Sequence, residues 1–146
     1  MITPSADRSL RQLLEHLKAE MNEESQALVG LDAVIGLREF QTDLNTVQNF
    51  PLLMGYRSQY SGSHLQISTV IIEWFFLNAM EIERQPGWLN WGIRKQADLL
   101  SSYDLPDPCL RIDPAAITGE IRYGQVRDGV FIPFTRITIA NVTDLD

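Results

Sequence analysis

Cysteine is nearly absent from this sequence. Cys109 stands alone among 146 residues, so no disulfide forms within the chain. Its setting, Pro108-Cys109-Leu110, reads as a small buried apolar residue, because a reactive thiol needs a cation or a helix N-terminus beside it. Such cysteine usage points to a reducing compartment. Histidine is almost as scarce, with only His16 and His64. A zinc site needs further Cys, His or carboxylate partners at ligand spacing, and none cluster with either residue. Basic residues are outnumbered, twelve Lys and Arg against nineteen Asp and Glu, for a net charge of −7. That balance argues against a general nucleic-acid binder, which must neutralise phosphates. It is compatible with an acidic channel along which DNA slides without sticking.

Long apolar runs are missing too. The longest, near Val70 to Leu77, is broken by Glu73 and is too short to span a bilayer as a helix. Met1 to Asp7 lacks the basic and apolar regions of a signal peptide. No Gly-x-Ser-x-Gly elbow occurs, and neither Gly30 nor Gly36 precedes a Gly-Lys-Ser/Thr phosphate loop. Glu81 and Glu83 flank Ile82, but their position suits favourable charge leading into a helix better than acid–base chemistry. The expectation is a protein that is not an enzyme and holds no cofactor or metal.

What is present is a pattern for one α+β domain over residues 1–146, a length that buries a sizeable core. Leu10, Leu13, Leu14, Leu17 and Met21 form one helical stripe, with Thr3 as cap and Pro4 at the first helical position. The opposite face carries Arg8, Arg11, Glu15, Lys18, Glu20 and Glu24 and reads as solvated. Residues 25–49 show no sustained period, with a short strand expected near Val34 to Phe40. Phe50 to Tyr56 reads as a strand opened by proline, and Tyr60 to His64 as a loop. Leu65 to Leu77 reads as a long strand. Its second half is apolar on both faces, so helices or a neighbouring subunit should cover both sides there.

A second helix opens at Pro86-Gly87-Trp88 and runs to about Ser101, with Leu89, Ile93, Ala97 and Leu100 as its stripe. Pro106, Pro108 and Pro114 make Tyr103 to Ala116 a loop. The last element is a hairpin turning at Arg127-Asp128-Gly129, since Asp-Gly favours a tight turn with positive φ. Ile117, Gly119, Ile121, Tyr123 and Gln125 alternate along its first strand. Phe131, Pro133, Thr135, Ile137 and Ile139 make one face of its second strand; Val130, Ile132, Phe134, Arg136, Thr138 and Ala140 make the other. The sum is a mainly antiparallel sheet of about four to five strands, with two helices on one face and a C-terminal hairpin.

Two features suit assembly: the long apolar strand and the projecting hairpin with Pro133 inside it. Exposed strand edges pair with other chains, and a repeated head-to-tail contact closes into a ring where the rotation permits. Trp74, Trp88 and Trp91 read as core or subunit contact in preference to a ligand pocket. Arg122 and Arg127 read as a solvated strand face or a salt bridge to a neighbour. The candidate inter-subunit contacts are Tyr60, His64, Trp74, Arg122, Arg127, Asp128 and Phe131.

Phe50-Pro51 and the apolar strand ending in Tyr56, the strand Leu65 to Phe76, the helix Trp88 to Leu100 with Leu89-Asn90-Trp91, Ile121-Arg122-Tyr123, the Arg-Asp-Gly turn and the strand Ile137 to Val142 recur in one order. With the N-terminal helix, that order resembles the lambda-type tail terminator family of tailed phages over about two thirds of the chain. The resemblance lies in pattern, and residues 25–49 depart from it. It implies a homohexameric ring that caps the tail tube, stops its polymerisation and joins the neck. The implied partners are further copies of itself, the tail tube protein, a neck or connector protein, and a sheath protein where the tail is contractile. Genomic DNA is implied only as passing cargo, no membrane is involved, and the place is the virion after assembly in the host cytoplasm. The alternatives are another neck component, such as a head-completion or connector protein, and a non-viral ligand-binding module or small enzyme subunit whose pocket Trp88, Trp91 and Tyr103 would line.

Overall fold

The computed structural model describes residues 7–61, 64–77, 87–104 and 110–144. Its elements, in chain order, are α1 (Arg8–Val29), β1 (Gly36–Arg38), a 3-10 turn (Leu44–Thr46), β2 (Leu52–Ser61), β3 (His64–Phe75), α2 (Trp88–Ser101), β4 (Leu110–Arg111), a second 3-10 turn (Pro114–Ala116), β5 (Ile117–Arg127) and β6 (Val130–Asp144).

The strands form one sheet ordered β1-β2-β3-β6, with β4 and β5 both against β6. Thr143 pairs with Ile67 of β3 and Arg111 of β4, so β4 lies on the flank of β6 opposite β3. The sheet is antiparallel except for the β1–β2 pair. The architecture is α+β as expected, with six strands where four to five were expected. The strand beyond that range is the short β4. β1 falls within the expected Val34–Phe40 segment, but β4 and the second 3-10 turn lie inside the proline-rich stretch expected to be loop. Pro114 starts that turn, where its missing N–H costs nothing. The expected Tyr60–His64 loop is shorter than supposed, because β2 runs through Ser61 and β3 starts at His64.

α1 forms because its apolar residues return at helical spacing. Leu10, Leu13, Leu14, Leu17 and Met21 are all fully buried. Each such side chain contributes roughly 1.5–3 kcal/mol, far more than differences in helix propensity. The cap is Asp7, whose Oδ1 accepts from the Leu10 N–H at 3.2 Å, and not Thr3. Thr3, Pro4, Glu81, Glu83 and Cys109 lie outside the described residues. The polar face of α1 is only partly solvated: Lys18 donates to the Ile35 carbonyl at 3.0 Å, and Arg11 to Glu39 at 2.9 Å.

α2 ends at Ser101 as expected, but its buried side is rotated from the expected stripe. Trp88, Leu89, Gly92, Gln96 and Leu100 are buried, while Ile93 and Ala97 are half-buried. Trp74 causes the rotation. It projects from β3 toward the helices and is fully buried; a Cβ on Gly92 would overlap its six-membered ring. Glycine there lets the indole lie against the helix backbone.

The two sheet faces have separate cores. On the helix side, Leu53, Val70, Ile72, Trp74, Ile137, Ile139 and Val142 pack under α1 and α2. On the second face, Leu52, Met54, Phe75, Ile132 and Phe134 pack under Leu44, Val47 and Phe50 from the segment leading into β2. That segment acts as a strap. The doubly apolar half of β3 is thus covered by helices on one side and by the chain's own strap on the other.

One buried cation fastens the end of the sheet away from the strap. Arg57 has a side chain only 6% exposed. It donates to Asp7 at 2.7 Å, Asp144 at 3.1 Å and the Ser68 hydroxyl at 2.6 Å. Burial works against its charge, but the two carboxylates more than offset that and raise its pKa above the ordinary arginine value.

Candidate functional site

The feature left uncovered by this packing is the β5–β6 hairpin. β3 pairs with β6 only from Phe134 onward, so residues up to Pro133 project past the end of β3. The turn takes φ of 52° at Asp128 and 77° at Gly129, the positive pair that the Asp-Gly sequence favours. A register shift between Arg122 and Gln125 puts a bulge at Tyr123-Gly124. It moves Gln125 opposite Ile132 on the second face, away from the face it was expected to share with Ile121.

The strap braces the hairpin from that second face. Arg127 donates to the Leu44 carbonyl at 3.1 Å and the Val47 carbonyl at 3.3 Å, with its guanidinium 5.1 Å from the centre of the Phe50 ring. The Asp128 N–H donates to Asn45 Oδ1 at 2.8 Å. The helix-side face is bare. α2 reaches only the base of the hairpin, where Ile93 meets Gly119. Beyond it Phe131 is 68% exposed and Tyr123 65%, with Ile121 and Val126 also exposed, while Val130 stands exposed on the strap side. β5 is solvent-facing along nearly its whole length, and among the described residues no strand pairs with its outer edge. Isolated exposed apolar residues are ordinary, but a contiguous apolar face on a projecting strand pair marks a contact surface.

A polar network lies next to the strap. Glu73 is 2% exposed; its Oε2 accepts two N–H groups of Arg136 at 3.0 and 2.8 Å, and its Oε1 accepts the Tyr56 hydroxyl at 3.0 Å. Burial, then the charge and hydrogen bond of Glu73, push the Tyr56 phenol up to about 12. Both Glu73 oxygens are engaged, which anchors Arg136 and Tyr56 to the middle of the sheet. A cavity of about 60 Å³ beside it holds no more than ordered water.

A larger cleft opens between the end of α1 and the start of β2. It measures about 470 Å³ and is lined mainly by Val29, Leu31, Ile35, Phe50, Phe76 and Trp88. Leu31 and Ile35 of this lining stand exposed. The Trp88, Trp91 and Tyr103 set weighed for a ligand pocket does not converge here. Trp88 lines the cleft, Trp91 stacks on Trp88 at 4.3 Å and donates to Glu24, and Tyr103 packs against His16 at 5.6 Å.

Of the candidate contacts, Arg122, Arg127, Asp128 and Phe131 meet on the hairpin. Arg122 is exposed and pairs with Glu120 at 2.9 Å. Tyr60 and His64 sit on β2 and β3 at the opposite end of the sheet, with side chains outside the described set. Trp74 leaves the contact group, because it is fully buried, centres a cluster with Phe76, Trp88 and Trp91, and donates its indole N–H to the Ala33 carbonyl at 2.9 Å. Tyr123, Val126 and Val130 were missed. Their signal was apolar residues on strands running past the reach of a fourteen-residue helix.

Among the described residues no group of three His, Cys, Asp or Glu is placed to hold a metal, and no helix is long and apolar enough to cross a membrane. No protein-family model and no curated protein matches the sequence.

Proposed function

We propose that this chain is a non-enzymatic, ring-forming structural protein of a phage or phage-like tail, acting as a tail terminator. The observation that carries the reading is the braced hairpin, with its bare apolar face and unpaired outer edge. A rigid, projecting apolar surface suits a repeated contact between identical copies. The pattern resemblance supplies the rest: a homohexamer seated on the last ring of the tail tube protein, halting its growth and meeting a neck protein. A sheath protein joins these partners where the tail contracts. DNA passes through the channel, whose walls in so acidic a chain would repel it. The site of action is the virion.

The test adds the purified chain to polymerising tail tubes and measures tube lengths by electron microscopy. Capping stops elongation and leaves a ring at the tube end. Unchanged lengths with no ring overturn the reading. The cleft favours one other reading, a ligand-binding module. That reading requires saturable binding of a small apolar molecule by a chain that forms no ring.

A further inference from the structure

We infer that the outer edge of β5 pairs with the same edge of a second copy of this chain, antiparallel about a two-fold axis at Ile121. β5 borders the sheet for eleven residues and faces solvent along nearly all of them, and among the described residues no strand lies beyond it. An open row of backbone N–H and C=O groups of that length is a template for another strand. The strand at the opposite border, β1, does not answer it. β1 is three residues long. The Ile35 carbonyl just before it accepts Lys18 at 3.0 Å, and its Leu37 carbonyl accepts Arg38 at 2.8 Å. The edge that remains suited to β5 is β5 itself, in an isologous contact.

Charge on the second face of the sheet selects that partner and that register. Glu73 of β3, Arg136 of β6 and Glu120 of β5 stand side by side, one row of alternating sign across three strands. The row stops at the sheet edge on a carboxylate, so the strand that continues it should bring a cation there. In the antiparallel pairing centred on Ile121, Arg122 of the second copy stands opposite Glu120, and Arg122 stands opposite Glu120 of the second copy. Moving the centre to Glu120 or to Arg122 sets like charges directly opposite each other, which is destabilising. Glu120 and Arg122 already pair within one copy at 2.9 Å, with side chains 52% and 45% exposed. The contact joins two such pairs into four alternating charges, which fix register more than they add affinity. On the helix side Ile121 meets its counterpart, and the bulge at Tyr123-Gly124 ends the regular ladder just beyond. Pairing of this kind closes at two copies, so it is separate from a ring contact and stands or falls independently of the terminator reading.

The experiment uses two full-length variants of reversed charge, Glu120→Arg and Arg122→Glu, with circular dichroism to verify that each folds. Mass is followed by sedimentation across protein concentration. Wild type is expected to reach the mass of a dimer. Each variant alone is expected to pair ~10-fold or more weakly, because two copies then set like charges opposite each other on both sides of the axis. An equal mixture of the two is expected to regain the affinity of wild type, because each arginine of one variant then faces a glutamate of the other. Arg122 stands opposite Phe134 in its own chain, away from Arg136, so Arg122→Glu carries the test by itself if Glu120→Arg does not fold. Wild type monomeric at every concentration overturns the contact. So does a folded variant that associates as tightly as wild type, or a mixture that binds no better than either variant alone.

Discussion

At the residue scale, Tyr56 carries a measurable consequence of its place beside Glu73. Its pKa is raised to about 12, above the ordinary phenol value near ~10. A raised pKa means that the folded chain holds the proton more tightly than the unfolded one. The stability linked to Tyr56 is therefore complete below pH ~10 and is lost as pH rises through about 12. Titration of phenolate absorbance in wild type, less that of Tyr56→Phe, should isolate one late-ionising group. A difference curve centred at the ordinary tyrosine value would contradict the burial and the charge beside it. The sequence places Glu73 within a long strand, but not its partners. Those come from residues 17 and 63 positions away, separations that no local pattern encodes.

At the scale of elements, the packing of α2 on β3 depends on Gly92. Alanine is the better helix former by about 1 kcal/mol. Here, however, its Cβ would meet the ring of Trp74, which other aromatic rings surround. Overpacking costs about 1–3 kcal/mol and exceeds that gain. Gly92→Ala should therefore lower the urea midpoint with little change in slope, and a variant more stable than wild type would mean that the indole can move aside. Both helices and the terminal hairpin were legible in the sequence, because each has a strong period or turn signal. Its limit shows in α2. Spacing alone selects Ile93 and Ala97, whereas the bulk of Trp74 turns Gly92 and Gln96 inward. β1 and β4 are only three and two residues long, too short for alternation to register reliably.

For the whole molecule, strap and hairpin form one mechanical unit through Arg127, Asn45 and Phe50. Elements joined in this way open together. Arg127→Ala should accelerate amide exchange in residues 44–50 and at the hairpin turn alike, while α1 keeps its protection. Exchange quickened in only one of the two would show that they are independent. The sequence made the apolar excess of β3 look like a surface awaiting either a helix or a neighbour. The strap, drawn from a stretch with no readable period, proved to be part of the cover, which leaves the hairpin as the apolar strand surface still bare.

The clamp at Arg57 has a practical consequence. Because Asp7 and Asp144 grip the same guanidinium, the first and last described residues of the polypeptide lie side by side. They do so at the far end of the strands from the hairpin turn and the cleft. A reporter inserted beside either residue would stand a full strand length clear of the hairpin turn.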